Sequence, residues 1–143
     1  MGVLTRFKRN PEGFRALVEL LESAPADKRQ KMIAAGMAED PPFMHKAMDL
    51  MMNFEDITML SDPELAEVVA VAPPRITSLA ISKSDSELQM RFFKCAPPRL
   101  MAEIRDGLTP DAALKAIGGA QLKMVEVARK LEREGRLRVK RIP

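Results

Sequence analysis

The clearest chemical pattern in this chain is a group of three charged residues in the stretch APPRLMAEIRDGL, residues 96–108. Arg99, Glu103 and Asp106 follow one another at helical spacing, so in a helix they lie on one face while apolar residues gather on the other. Such a face is either a solvated surface with an Arg99–Glu103 ion pair, worth about 0.3 kcal/mol, or a charged docking surface for a partner.

No group of residues in the sequence has the spacing of a catalytic or metal site. His45 is the only histidine and Cys95 the only cysteine, so neither a zinc site nor an internal disulfide has enough members. The phosphate-binding patterns GxxxxGK[ST] and GxGxxG are absent, and the pair Gly118-Gly119 lies inside a helical pattern. We therefore expect a binding or mechanical protein that is not an enzyme and uses no metal or cofactor.

The composition favours helices over strands. The 143 residues are 46% hydrophobic with a formal net charge of +3, and they include eleven methionines but no tryptophan or tyrosine. Methionine, alanine and leucine suit helices better than sheets. No apolar run approaches the roughly 18 residues of a membrane span, so no membrane insertion is expected. The sequence predicts a soluble, cytosolic, all-α protein.

Prolines and capping residues divide the chain into about eight predicted helices with short connections. The last is the longest: it ends at Glu134 before Gly135, and Gly118-Gly119 inside it predicts either a kink or a close packing contact. Two capping boxes are predicted, Ser61 with Glu64 and Ser84 with Glu87. The predicted helices begin near Pro11, Asp27, Pro41, Ser61, Pro74, Ser84, Pro97 and Thr109.

Three stretches resemble a known family: MMNFEDITMLSDPELAEVV, APPRLMAEIRDGL and AQLKMVEVARKLEREGRLRV. They are similar to the C-terminal half of FliG, the flagellar motor switch protein family. The family's Met-Phe-x-Phe hinge is matched by Met51, Met52, Asn53 and Phe54, with methionine replacing the first hinge phenylalanine. The match runs without a gap from the hinge to Leu108, loses about two residues near Thr109, and covers nearly the whole chain.

The resemblance implies two small helical lobes. Residues 1–53 are expected to form an armadillo-like, right-handed superhelical bundle ending in the hinge, and residues 54–143 a six-helix domain. In the family, bundle faces stack between subunits, which implies self-association here through Met44 and Met48. A buried core is the other explanation for the same methionine stripe.

The resemblance also implies a role in the flagellar rotor. The helix matching residues 97–108 is the family's torque helix, whose charged ridge faces the cytoplasmic loop of the stator subunit MotA. Arg99 and Asp106 fall on ridge positions with Glu103 beside them, whereas Ser82 replaces a ridge lysine and Gly107 the second of two aspartates. Three further cations are expected to substitute for the missing charges. They are Lys83, Arg91 and Lys94.

The implied location is the cytoplasmic side of the inner membrane, peripheral at the flagellar basal body, beside other rotor and switch proteins. The family's N-terminal anchoring domain and its middle domain have no counterpart in this sequence. The initial Met and the basic N-terminus favour a stand-alone half-length relative over a piece of a longer protein.

Two alternatives remain open at this stage. One is a helical adaptor outside the motor, in which the methionine stripe receives a partner helix. The other is a winged-helix nucleic-acid-binding protein whose final residues form a helix, a first wing strand and a basic patch. We expect a solvated basic tail instead, and no nucleic-acid partner. The patch consists of Arg133, Arg136, Arg138, Lys140 and Arg141.

Overall fold

The computed structural model describes residues 2–143, which contain ten helices and no strand. The all-α prediction is therefore confirmed, with two short helices more than the sequence predicted. The helices are α1 (Thr5–Arg9), α2 (Gly13–Ser23), α3 (Ala26–Glu39), α4 (Pro41–Leu50), α5 (Phe54–Thr58), α6 (Asp62–Val71), α7 (Pro74–Ala80), α8 (Ser86–Cys95), α9 (Pro98–Asp106) and α10 (Leu114–Arg133). None of these described helices is long and apolar enough to span a membrane.

The described residues divide into two compact units. The first runs to Met52 and includes Lys140–Pro143, and the second is Asn53–Val139. The chain thus passes between the units twice, once after Met52 and once after Val139. The sequence-based division into 1–53 and 54–143 stays a prediction, and it did not assign the last four residues to the first unit.

The first unit packs α1–α4 around one apolar core. Leu17 and Met44 are buried at its centre, and the core is extended by Phe7 of α1 and by Leu4, the N-cap of that helix. Helix α1 was not predicted, because these two apolar residues stand among basic ones. Ile142 of the C-terminal segment is also buried in this core. The last residues are therefore not simply a solvated tail.

Asp40 joins α1 to the start of α4. Its side chain caps α4 by accepting from the Phe43 N–H, and Lys8 Nζ lies 2.5 Å from its carboxylate. The hydrogen bond from Lys8, followed by the one from the Phe43 amide, holds the pKa of Asp40 below its usual value. Asp40 thus supplies the cap that the two following prolines cannot provide.

The second unit packs six helices, α5–α10, with α10 against α5, α6 and α7. Phe92, Ile104 and Met124 are among its fully buried side chains. The short helix α5 was not separated in the sequence analysis, and α10 begins at Leu114 rather than near Thr109. The resemblance also implied six helices for the C-terminal domain.

The two predicted capping boxes differ in outcome. Ser61 caps α6 as predicted by accepting from the Glu64 N–H, but the Glu64 carboxylate accepts from the Ser61 hydroxyl at 2.9 Å rather than from its backbone N–H, so the reciprocal half of the box is not formed. The box at Ser84 is wrong, because Asp85 is the N-cap of α8 and accepts from the Leu88 N–H at 2.8 Å. A carboxylate one residue later is an equally good cap, so spacing alone did not separate them.

Gly118 and Gly119 do not interrupt α10, which is one helix from Leu114 to Arg133. A Cβ added at either position meets no heavy atom within 4 Å, so close packing does not require glycine there. Replacing either one with alanine is expected to raise the free energy of unfolding by about 0.5–1 kcal/mol, because alanine loses less backbone entropy in a helix. Urea titration followed by circular dichroism measures this change.

The control is the same substitution at Gly107, where a Cβ would lie 2.7 Å from Ser78 Oγ. There we expect a loss of stability from overpacking. A loss at Gly118 or Gly119 as well would contradict the prediction and indicate that α10 needs flexibility at these positions.

Candidate functional site

Helix α9 presents a charged face outward and an apolar face inward. Leu100 and Ile104 are 8% and 0% exposed and anchor the helix to the second unit. Arg99, Glu103 and Asp106 are all exposed. The helical period thus separates the two faces as the spacing of residues 96–108 predicted.

The charges on this face are largely free to meet a partner. Within the part of the chain that the structure describes, no ion pair joins Arg99 to Glu103, so that predicted pair is not formed. Arg105 Nε instead donates to Asp106 Oδ1 at 3.2 Å, and both side chains are more than half exposed. An exposed pair of neighbouring residues stabilises the fold little, so Asp106 remains accessible.

Ser82, which falls on the family's ridge lysine, is buried. Its hydroxyl donates to the Ser78 carbonyl at 2.7 Å and accepts from the Thr109 N–H at 2.9 Å. It therefore connects α7 to the turn that follows α9. A charged side chain at this position would lose both contacts and be buried, so Ser82 has a structural role here.

Gly107, which falls on the family's second aspartate, lies where the chain closely approaches α7. A Cβ there would be 2.7 Å from Ser78 Oγ and 3.2 Å from the Glu103 carbonyl oxygen. Ser78 Oγ is itself held by the carbonyls of Pro74 and Ile104 at 2.9 and 2.7 Å. An aspartate does not fit here without displacing this hydroxyl.

The three substitute cations have different environments. Lys83 and Lys94 are exposed, Lys83 in the turn after α7 and Lys94 on α8. Arg91 is instead occupied in holding the α5–α6 connection: it donates to the Thr58 carbonyl at 2.8 Å, to the Leu60 carbonyl, and to Asp62 Oδ1 at 2.9 Å. Arg91 therefore has a structural role that sequence reasoning did not find.

The predicted hinge coincides with the first crossing between the units, which lies between Met52 and Asn53. On the first unit, Met52 is 2% exposed and its N–H donates to Glu22 Oε2 at 2.7 Å. Glu22, itself buried, is thus a contact of the hinge that the sequence analysis missed. Met51, the residue before Met52, is the C-cap of α4.

On the second unit, the hinge residues begin α5. Asn53 and Asp56 form a reciprocal capping box, with N···O distances of 3.0 and 2.9 Å. The Phe54 ring stacks on Phe92 with 6.2 Å between the ring centroids. Each end of the hinge segment is therefore fixed to its own unit by hydrogen bonds or packing.

Met44 and Met48, predicted to stack between subunits, lie in and beside the core of the first unit. Met44 is 0% exposed, so in this structure its side chain is not part of a surface. Met48 is partly buried against the same core. Self-association through this unit stays a prediction. Of the two methionines, only Met48 is partly exposed and could contact another subunit.

Histidine and cysteine, the residue types most often used in nucleophilic and metal chemistry, each occur once in this chain. No group of three or more histidine, cysteine and acidic side chains among them is placed to hold a metal ion. His45 is exposed. The pKa of the Cys95 thiol is raised, first by its partial burial and then by the nearby Asp62 carboxylate. Cys95 is therefore held in its unreactive, protonated form at neutral pH.

The basic residues near the C-terminus do not form the wing of a winged helix. No strand is present over residues 136–141 of the described chain. Arg136 is engaged with the carboxylates of Glu67 and Glu134, and the N–H of Arg138 lies 3.5 Å from Glu64 Oε2. Part of the basic patch is thus neutralised by the chain itself.

The sequence matches the family model described as the FliG C-terminal domain over residues 37–139. It is 26% identical over 131 residues to the flagellar motor switch protein FliG of Aquifex aeolicus, covering 90% of this chain and 40% of that protein. The FliG of Thermotoga maritima is 25% identical over 142 residues, covering 98% and 42%. The chain therefore spans about two fifths of the length of these relatives.

Solved structures share the fold. A crystal structure of FliG from Helicobacter pylori superposes with a TM-score of 0.62 at 22% identity, covering 85% of this chain and 58% of that one. Full-length FliG from Aquifex aeolicus gives a TM-score of 0.56 at 23% identity, covering 90% and 41%.

Proposed function

Since this chain belongs to the FliG C-terminal domain family, we propose that it is a component of the flagellar motor switch and contacts the stator through α9. The observation that carries this proposal is the exposed, mixed-charge face of Arg99, Glu103 and Asp106 on a helix whose other face is buried. The partner we propose is the cytoplasmic loop of the stator subunit MotA, and the role is to generate torque or to set the direction of rotation.

A weak and rapidly reversible contact suits this role. Exposed ion pairs contribute only about 0–1 kcal/mol each and act mainly on the rate and orientation of encounter. A rotor surface that passes one stator after another must form and break each contact quickly. A face with charges of both signs also permits attraction at one position and repulsion at the next, which gives the contact a preferred register.

The α9 face is smaller than the family's ridge, and we infer from the surroundings of the predicted substitute cations which of them completes it. Arg91 is committed to the α5–α6 connection, so it contributes little to a partner contact. Lys83 is exposed beside the buried Ser82, and its charge is the nearest in sequence to that of the missing ridge lysine. We therefore assign the contact to the three α9 residues with Lys83.

The predicted hinge gives the contact a means of being switched. Met51–Phe54 span the first of the two passages between the units, and in our proposal a change in their backbone angles, accompanied by one at the second passage after Val139, reorients α9 with the rest of its unit. Such a hinge needs only a few residues that absorb the rotation. The proposed role is mechanical, at the cytoplasmic side of the flagellar basal body beside other rotor proteins.

The test is motility of the native host carrying Arg99→Asp together with Asp106→Arg. This exchange keeps net charge and helix propensity nearly constant but reverses the order of charge along α9. We expect swimming speed or directional bias to change while the folded protein stays at the flagellar base. Swimming assays and a fluorescent fusion of the protein measure the two outcomes.

The matched control exchanges charges on α10, with Lys123→Glu and Glu126→Lys, both of which are exposed. It should swim and localise like the wild type. If the α9 exchange also leaves motility unchanged in a strain that has no other FliG, the α9 face is not a stator contact and the proposal fails.

A further inference from the structure

Helix α8 carries a second exposed stripe, of which only Lys94 is also among the predicted stator contacts. Glu87, Met90 and Lys94 are all exposed and lie three and four residues apart, so they share the outer face of the helix. Phe92, on the inner face, is 0% exposed and anchors the helix. Neither Glu87 nor Lys94 has an ion-pair partner among residues 2–143.

This stripe borders an open groove of about 750 Å³. The groove's other wall, from the end of α5 to the start of α6, carries Met59, which is 83% exposed, and Met90 is 51% exposed. Methionine is a soft, adaptable contact residue, and two of them exposed in one groove are typical of a protein-binding surface. Arg91 joins the two walls through its hydrogen bonds to Thr58 and Asp62, so the groove is already formed.

We propose that this groove binds α8 of a second copy of this chain in an antiparallel, two-fold symmetric arrangement. The midpoint of Glu87 and Lys94 falls between Met90 and Arg91. An antiparallel copy centred there places each Glu87 opposite the other chain's Lys94 and brings the two Met90 side chains together. A two-fold interface requires exactly such self-complementarity, in which residue i meets j and j meets i.

The order of charges along the α8 stripe favours a second copy of this chain over an unrelated partner. The stripe runs acidic, apolar, basic, and its complement in the antiparallel direction is the same sequence, which this chain already supplies. Helix α9 also has opposite charges at its ends, but Glu103 stands between Arg99 and Asp106 and would face its own copy. Like charges placed opposite one another disfavour that pairing, so α8 is the self-complementary helix.

The interface is small, so we expect a weak dimer. One helix and the neighbouring groove wall bury less than the roughly 1,200 Å² of a stable interface. Association should depend on protein concentration, and it should weaken as salt screens the two ion pairs. Sedimentation equilibrium over a wide concentration range at low ionic strength measures it on the intact chain.

The test uses charge reversal at the two ends of the stripe. Glu87→Lys and Lys94→Glu each place like charges opposite one another twice, and each is expected to lower the association constant at least tenfold. Mixing the two single variants restores both ion pairs, since one chain then carries two lysines and the other two glutamates. The mixture should associate as strongly as the wild type, and so should the double variant.

Lys123→Glu and Glu126→Lys on α10 are the matched controls for net charge and should leave association unchanged, and circular dichroism verifies that every variant is folded. A wild-type chain that stays monomeric at all concentrations overturns the proposal. Association that survives both single reversals overturns it too, because it then uses another face, such as the first unit. Single variants that fail to associate with each other also contradict the antiparallel pairing.

Discussion

Replacing Arg129 with methionine is expected to lower the free energy of unfolding by about 3–5 kcal/mol. Arg129 Nη1 donates to Glu132 Oε1 at 2.8 Å, and the two side chains are 4% and 2% exposed. Both lie in the last turn and a half of α10. Removing the guanidinium takes a cation away from a buried carboxylate, and the cost of that change is larger than the net stabilisation that the pair contributes.

Urea unfolding followed by far-ultraviolet circular dichroism measures this effect, since the chain has no tryptophan or tyrosine to serve as a fluorescent probe. Lys130→Met, one residue away and exposed, should change stability by less than about 0.5 kcal/mol. The double variant Arg129→Met with Glu132→Leu should recover part of the loss, because it also removes the buried carboxylate. If the single and double variants are equally unstable, packing of the arginine stem rather than charge accounts for the loss.

The second large effect is expected for Phe92→Ala, with a loss of about 3–5 kcal/mol. Phe92 is 0% exposed in the core of the second unit, and its ring stacks on that of Phe54. Alanine leaves a cavity where a whole ring was, and the surrounding helices close it only in part. Phe54 also loses its ring partner, so the hinge end of α5 should become more mobile.

The neighbouring residue provides the control. Phe93→Ala makes the same chemical change one position along α8, but Phe93 is only partly buried, so its loss should be clearly smaller. Amide hydrogen exchange in α5 distinguishes the two variants further, with faster exchange expected for Phe92→Ala alone. Equal losses for the two would show that burial does not set the cost at this helix.

The two positions at which the resemblance implies a missing ridge charge share one physical environment. Ser82 and Gly107 both lie where α7 meets the end of α9, and both sites are filled by the hydroxyls of Ser78 and Ser82 and by backbone atoms. This chain uses those two positions to pack the helices tightly. The charge available to a partner is then concentrated on the outer side of α9, and the proposed stator contact depends on fewer residues.

Several features of the fold were determined by the sequence alone. Prolines and capping residues placed the start of α4 at Pro41 and of α7 at Pro74, as found. The helical period separated the exposed charges of α9 from Leu100 and Ile104. These features are local, because each signal depends only on residues within one or two helical turns. The signals are the missing N–H of proline, a cap three residues from its partner, and the 3.6-residue repeat.

Local signals were weaker where a helix is short. Helix α1 has only five residues, and its apolar residues gain their stability from α2 rather than from one another. Helix α5, also of five residues, was not predicted. Short helices form because of the core that they cover, so their own sequence need not be strongly helical.

Only the tertiary structure decided the roles of Ser82, Arg91 and Glu22. Their partners lie far along the chain, since Thr109 is 27 residues from Ser82, Leu60 is 31 from Arg91, and Met52 is 30 from Glu22. In sequence each is an ordinary polar residue of an amphipathic segment. Whether such a side chain faces water or satisfies a buried backbone group depends on which helices pack beside it, and no local spacing contains that information.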